Sequence, residues 1–398
     1  MKIKQINPNE KVAILVGKLI DGITNQPQQK QAILIEEGKI KKIIAQEKYF
    51  NQNFEPYEQL TLNNFTILPG LIDAHVHLAL DGANFKKTIE EWKSPVKTNK
   101  RITKQLTATL QQGIVAVRDG GDRANIALNY QQKVASSSTL IPKIIATGQA
   151  IYKEDHYGSF LGTAVKTKSD LKRRIKEIYN SGSDQLKVLV SGIISFSNYG
   201  EVGEIQFSEQ ELKRIVALAR QYGLKVMAHA SSDQAVRRAI KAEVDSIEHG
   251  YFISKESLKL LAETQIPWIP TVVPVANQLL VADEYSPNQQ EVIKKSYHTQ
   301  LEMIDKGADL GVKLGIGTDA GAYQVKHGHS LWQELNLFNQ TSLSPLEIIK
   351  VATYSNAQII GQSELGSIQK SKKPQLIGVK GDPTQDLSLL KNPELLIY

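Results

Sequence analysis

The sequence predicts an α/β protein: a (β/α)8 TIM-type barrel with a small β-sandwich domain built from both chain termini. Three observations carry this expectation. Eight short apolar runs, starting between residues 71 and 313, alternate with segments of helical period. The stretches before residue 69 and after residue 360 read as strands with no useful helical period between them. Polar residues close several of the eight runs, at the strand ends where such barrels carry their chemistry.

In chain order, VAILVGKLI, then AILIEEGKIKKII with a turn at Glu37–Gly38, then FTIL ahead of Pro69–Gly70 are predicted strands, since apolar runs are bounded there by turn formers. The barrel runs follow: LIDAHVHL, GIVAVRD, KIIATG, QLKVLVSG, LKVMAHA, VDSIEHG, WIPTVV and KLGIGTD. Between them, Ser208 and Glu211 form a capping-box pattern, Leu212, Ile215, Val216 and Ala219 make one apolar stripe, and Gly223 supplies the stop. Ser344–Pro345 with Glu347 opens a later helix in the same way. An open doubly wound sheet is the main alternative, but no GxGxxG follows the first strand to hold a dinucleotide. Past residue 360, LGSIQ, PQLIGVKGDP and ELLIY return to strand patterns. Neither end is long enough to bury its own core, so 1–68 and 361–398 are expected to pair as one small β-sandwich domain beside a catalytic barrel over 69–360.

Of the 398 residues, 41% are hydrophobic and 22% charged, which fits a folded globular chain and neither a disordered nor a fibrous one. The formal charge of +7 comes from scattered lysines. The densest clusters, Lys39–Lys41–Lys42 and Lys370–Lys372–Lys373, lack interleaved aromatics, so no nucleic-acid partner is expected. The start MKIKQINPNEK has no apolar signal region and no stretch reaches the length of a membrane span, so no membrane partner and a cytoplasmic location are expected. The absence of cysteine excludes disulfides, thiolate zinc sites, iron–sulfur clusters and cysteine nucleophiles, and leaves eight histidines for any metal chemistry.

His75 and His77 stand two residues apart on a predicted strand, so both imidazoles project from one face. That geometry can chelate a metal, although an HxH alone also suits a pair of hydrogen-bonded structural histidines. His229 closes LKVMAHA, His249 closes VDSIEHG and Asp319 closes KLGIGTD. Each of these alone could be a satisfied core residue. Five such groups on strands one, five, six and eight would each need a separate partner, whereas metal binding satisfies them together.

GLIDAHVHL, the strand-borne Lys187, AHA, EHG and GTDAG, in this order, resemble the amidohydrolase superfamily of metal-dependent hydrolases, in particular its imidazolonepropionase-like and Xaa-Pro dipeptidase-like branch. VRDGG at 117–121, QFSEQEL at 206–212, HG at 327–328 and LSPLEIIKVAT at 343–353 extend the resemblance over almost the whole chain. It implies that His75 and His77 bind one zinc, that His229 and His249 bind another, and that Asp319 approaches the first metal and serves as general base and acid. Lys187 matches the lysine that relatives carboxylate to a carbamate bridging two Zn2+ ions. A carbamate is an anionic oxygen ligand, whereas a cationic lysine is a poor zinc neighbour. Manganese or iron also suits such ligands.

The implied reaction is cleavage of the C–N bond of a small-molecule amide, such as a dipeptide or N-acyl amino acid, through attack by a metal-bridging hydroxide. A mononuclear cyclic-amide hydrolase similar to imidazolonepropionase is the alternative of the same class, and a non-enzymatic scaffold that of another class. The resemblance also allows a homo-oligomer. For substrate contacts, His156 and Tyr157 lie after strand three, Ser191 after Lys187 and Tyr251 after His249, all expected at the mouth where βα loops select substrates. His327 reads as structural, and His298 has no functional case. The chain departs from the GKxADLVVL segment of many relatives, having KSKKPQLIGVKGDP at 370–383, which bears on the β-domain rather than the metal ligands.

Overall fold

The computed structural model describes every residue except 53, 55 and 138. The chain divides into two compact units, one of Met1–Ile72, Ala108–Val115 and Leu343–Tyr398, the other of Asp73–Thr107 and Ala116–Ser342. This division places residues 343–360 with the chain termini. Local bonds account for it: Asn356 Nδ2 donates to Ile72 O at 2.7 Å and Lys350 Nζ to Asn25 Oδ1 at 2.6 Å.

The first unit is organised around one continuous seven-stranded mixed sheet. Its order is Lys2–Lys4, Leu395–Ile397, Leu376–Lys380, Glu58–Pro69, Val12–Leu19, Gln28–Glu36 and Lys39–Ala45. Glu37 (φ +52°) and Gly38 (φ +67°) are both left-handed, the backbone that a two-residue hairpin turn requires. Val12, Ile14 and Val16 pack into one apolar cluster and Ala13 and Leu15 into another, which explains why this strand reads as a continuous apolar run rather than an alternation.

Three local features differ from the sequence expectation. A short helix, Gln46–Asn51, interrupts the strands. LGSIQ is not a strand, although Ile368 is buried and its N–H donates to Asp21 O at 2.9 Å. Lys2–Lys4 is a strand whose KIK pattern is too short and polar to announce it, and it pairs in parallel with Leu395–Ile397.

Seven of the eight barrel runs carry regular strands: Leu71–Val76, Ile114–Asp119, Lys143–Ala146, Gln185–Leu189, Lys225–Ser232, Ser246–Phe252 and Trp268–Ile269. The first three form one parallel sheet and the last four belong to another. Two short strands, Ala150–Lys153 and Gly162–Val165, extend the second sheet after the third run and were not expected. Helices alternate with the strands, among them Glu209–Gln221, whose Ser208–Glu211 capping box is formed in both directions.

KLGIGTD is not a regular strand. It makes a single bridge, Leu314 to Trp268, and Ala320 just beyond it bridges to Val76, while Ala74 N donates to Ile316 O at 3.0 Å and Asp319 N to His75 O at 2.7 Å. The segment is therefore bonded on both sides, to the seventh run and to the first. Close approach explains its irregularity, since a Cβ at Gly317 would lie 2.8 Å from both the Cβ and the backbone N of His75. Among the described residues no helix is long and apolar enough to cross a membrane.

Candidate active site

His75 and His77 present their Nε2 atoms to one point because their Nδ1 atoms are engaged elsewhere. His75 Nδ1 lies 2.7 Å from Glu248 Oε2, and His77 Nδ1 lies 3.1 Å from Gly121 O. An acceptor at Nδ1 fixes the proton there and leaves the Nε2 lone pair free for a cation. Asp319 Oδ1 sits 3.4 Å from His75 Nε2 and 3.3 Å from His77 Nε2, and the three ligand atoms lie within 4.8 Å of one another.

The other two histidines close the arrangement from the far side. His249 Nδ1 meets Thr271 Oγ1 at 2.7 Å, which leaves Nε2 available. His229 is turned the other way, with Nε2 3.1 Å from Gly192 O and 3.2 Å from Ser231 Oγ, which leaves Nδ1. The rings gather closely, with centroids 4.5 Å apart for His229 and His249 and 5.0 Å for His75 and His249. Lys187 Nζ is buried among them, 3.3 Å from His75 Nε2.

Burial sets the charge states. It drives the His75 and His249 imidazoles well below their ordinary pKa and His229 down to about 4, with Lys187 and the neighbouring rings adding to the effect. Burial also pushes the Lys187 ammonium down to about 8, against the attraction of Glu248 and Asp319. Asp319 would be raised by burial, but the His77 hydrogen bond and the His75 and His77 charges hold it below the ordinary carboxylate range. The same bond lifts His77 against burial, so the carboxylate favours positive charge at this point.

Backbone strain makes the arrangement possible. Glu248 and His249 are consecutive and in a regular strand would face opposite sides, yet both reach the centre. His249 takes φ +72°, Asp319 φ +57° and Thr271 φ +50°. Left-handed backbone at a non-glycine residue costs on the order of 1–3 kcal/mol and persists only where the surroundings enforce it.

Residues 66–395 match the model of the amidohydrolase family. The chain belongs to that family. It is 22% identical to ochratoxinase of Aspergillus niger over 418 aligned residues, covering 97% of this chain and 84% of that one. It is 23% identical to imidazolonepropionase of Clostridium tetani over 382 residues, covering 87% and 83%. Among solved structures, a Xaa-Pro dipeptidase with bound methionine in the active site is similar with a TM-score of 0.82 at 27% identity, covering 98% of each chain. The amidohydrolase relationship gives a TIM-barrel-type α/β fold and a hydrolase acting on C–N bonds. Amidohydrolases generally bind a metal, and His75, His77 and Asp319 are the candidate site here.

Of the residues expected to contact substrate in this amidohydrolase, Tyr157 and Tyr251 line a cavity of about 310 Å³ together with His77, Lys187, His249 and Asp319. His156 and Ser191 are not in that wall. His156 Nδ1 lies 2.8 Å from Glu154 O and its Nε2 3.5 Å from Glu204, a contact made outside the cavity. Ser191 is fully buried, donating to Gly192 O at 2.9 Å and accepting from Ser231 N at 3.0 Å, so its hydroxyl is consumed by the backbone. His327 is buried with Nε2 3.0 Å from Leu80 O, a structural placement.

Sequence reasoning missed the groups that orient the ligands. Arg118 is buried and donates to Ala74 O (2.6 Å), Ser246 Oγ (2.9 Å) and both oxygens of Glu248 (2.8 and 2.9 Å), and Glu248 in turn holds His75. Asp73 accepts from Thr318 N at 3.0 Å and Thr318 Oγ1 at 2.6 Å, next to Asp319; burial pushes its carboxyl up to about 7. Asp119 accepts from Leu78 N and Gly121 N, both at 2.8 Å, on either side of His77. A signal existed: each is a charged residue inside an apolar strand run, where an unpaired charge would be prohibitive.

Proposed function

We propose that this amidohydrolase is a binuclear metal-dependent hydrolase of small amides, with dipeptides and N-acyl amino acids as the first classes to examine. The observation that carries the reading is the Asp319 oxygen held 3.3–3.4 Å from two imidazole nitrogens whose other ring atoms are already bonded. The donor set fits a cation, since it comprises three uncharged imidazoles and an ionised carboxylate on fixed supports, and that carboxylate already favours positive charge beside His77. His75, His77 and Asp319 would hold one ion, and His229 through Nδ1 and His249 through Nε2 the other.

In this reading Lys187 would stand beside the set as a carbamate. Its neutral amine adds to CO2 and loses one proton, giving an anionic oxygen ligand, and the burial that lowers its pKa favours that amine form. Bound zinc, or manganese or iron, would lower the pKa of a water and polarise the amide carbonyl. Asp319 takes one proton from the attacking water and returns it to the leaving nitrogen as the C–N bond breaks, so water is divided between a carboxylic acid and an amine. His75, His229 and His249 stay neutral, and with His77 they hold their positions through Glu248, Gly192, Thr271 and Gly121.

The same reading takes the barrel as closed through the doubly bonded segment 313–318, with catalytic residues 69–360 and a terminal sandwich of 1–68 and 361–398, in a cytoplasmic enzyme whose partner is its small amide substrate. A mononuclear cyclic-amide hydrolase is the second reading, favoured because His75, His77 and Asp319 form a ligand group by themselves. Metal analysis together with labelled-CO2 incorporation at Lys187 separates the two. Two ions and a carbamate are expected; one ion with an unmodified lysine supports the second reading. Hydrolysis of an amide panel by the metal-loaded enzyme, lost by about 10³-fold or more in Asp319→Asn, tests the chemistry itself.

A further inference from the structure

The cavity above the candidate metal site is a cleft between two apolar clusters. On one side Leu161 packs with Tyr157 and Phe160, and on the other Tyr251 packs with Ile194. The aromatic side is built edge to face, with Phe160 5.0 Å from Phe85 and 5.8 Å from Tyr157 between centroids. At the mouth, Phe85 and Ile193 are each 50% exposed and Tyr323 42%. Single exposed apolar residues are ordinary, but here large ones converge on the opening of one cavity and continue its wall outward.

Charge in the wall is equally selective. Among the described residues Lys187 is the only lysine or arginine lining the cavity, and it is engaged with His75. Asp81 lies in the wall, and although burial would raise it, the N–H groups of Ala83 and Asn84, each 2.9 Å away, hold it ionised below its ordinary pKa. Behind Tyr323, Glu284 accepts the phenol at 2.7 Å. Arg101, near Asp81, is occupied by Glu91 and by the carbonyls of Leu78 and Ala79. A substrate carboxylate in this cleft would meet acidic groups and no guanidinium fork of the kind that recognises carboxylates.

We propose that the cleft takes an uncharged amide bearing a bulky aromatic or branched aliphatic group, and that it does not recognise a free carboxylate. This rests on the C–N hydrolase reading and narrows it: a dipeptide or N-acyl amino acid fits better once its carboxyl group is absent or masked. The volume of about 310 Å³ is near the lower end of small-molecule pockets, and the half-exposed Phe85, Ile193 and Tyr323 continue its apolar wall outward to a second group.

The test uses four amides: hydrocinnamoyl-phenethylamine, hydrocinnamoyl-phenylalanine, which differs by the added carboxylate, and the acetyl analogue of each. With the metal-loaded enzyme, kcat/KM is expected to fall about tenfold or more on adding the carboxylate, and again on shortening hydrocinnamoyl to acetyl. Calorimetric titration of the same ligands into metal-loaded Asp319→Asn gives the same ranking without turnover. Phe85→Ala, at a half-exposed position, should reduce the hydrocinnamoyl preference by about threefold or more.

Equal or better use of the carboxylate-bearing amides, or equal use of acetyl and hydrocinnamoyl, overturns the proposal and leaves C–N hydrolysis intact. Selective binding of the neutral aromatic amide without cleavage of any amide sinks the hydrolase reading and keeps this one. No binding of any of the four overturns the proposal.

Discussion

Glu248 joins a guanidinium to an imidazole: one oxygen accepts from Arg118 and Ser246, and the other meets both Arg118 and His75 Nδ1. Glutamine at this position could still accept from one donor, but its amide would face Arg118 with N–H against N–H and leave a buried cation uncompensated. Breaking a buried pair in this way costs about 3–5 kcal/mol, and loss of a ligand's supporting partner typically costs about 10–100-fold in metal affinity. Glu248→Gln should therefore melt earlier and lose its metal to a weaker chelator, as read by thermal denaturation and chelator competition. An unchanged metal affinity would show that His75 needs no anchor. The charge of Glu248 and of Arg118 inside apolar runs was a signal, but their pairing could not be assigned from the sequence, because pairing across two strands is not written in either one. The candidate ligands were legible because His75 and His77 alternate on one apolar run and His229, His249 and Asp319 each close one, whereas the side-chain direction of Glu248 depends on the left-handed turn at its neighbour, His249 (φ +72°).

At the scale of elements, strands bounded by turn formers were readable, and the segment 313–318 was readable as apolar but not as irregular. Its conformation is set by tertiary approach to His75, which no local propensity encodes. Gly317→Ala tests that approach. The new Cβ would lie 2.8 Å from His75 Cβ, His75 N and Ile269 Cγ2, so either the first strand or the segment must shift. Overpacking of this kind costs about 1–3 kcal/mol. Because Asp319 follows two residues later, the variant is expected to lose metal affinity as well as stability, and retention of full metal content would refute the coupling.

A second element is clamped similarly. Glu334, on helix His329–Phe338, is fully buried and accepts from Val272 N at 2.9 Å and Val273 N at 2.7 Å, just after the strained Thr271 that holds His249. Glutamine has one acceptor where the carboxylate has two, so Glu334→Gln leaves one buried N–H poorly paired at about 1–3 kcal/mol. Release of Thr271 should free His249 first. Metal titration of Glu334→Gln is then expected to show one weakened equivalent and one near-normal equivalent; equal weakening of both would place the effect on the whole barrel instead.

Over the whole molecule, the candidate metal group His75, His77 and Asp319 lies in the unit of Asp73–Thr107 and Ala116–Ser342, and among the described residues the terminal sheet supplies none of it. A cation that binds only the folded site stabilises it by RT ln(1 + [L]/Kd), about 4 kcal/mol at a thousandfold excess over Kd. That free energy acts where the cation binds. Hydrogen exchange with and without chelator reads the effect strand by strand. Chelation is expected to deprotect Gln185–Leu189, Lys225–Ser232 and Ser246–Phe252, which carry Lys187, His229 and His249, while Val12–Leu19 and Gln28–Glu36 keep their protection in the seven-stranded sheet. Equal loss in both sets would mean that the two units open only as one cooperative body, and that the metal stabilises the terminal sheet as much as the strands that bind it.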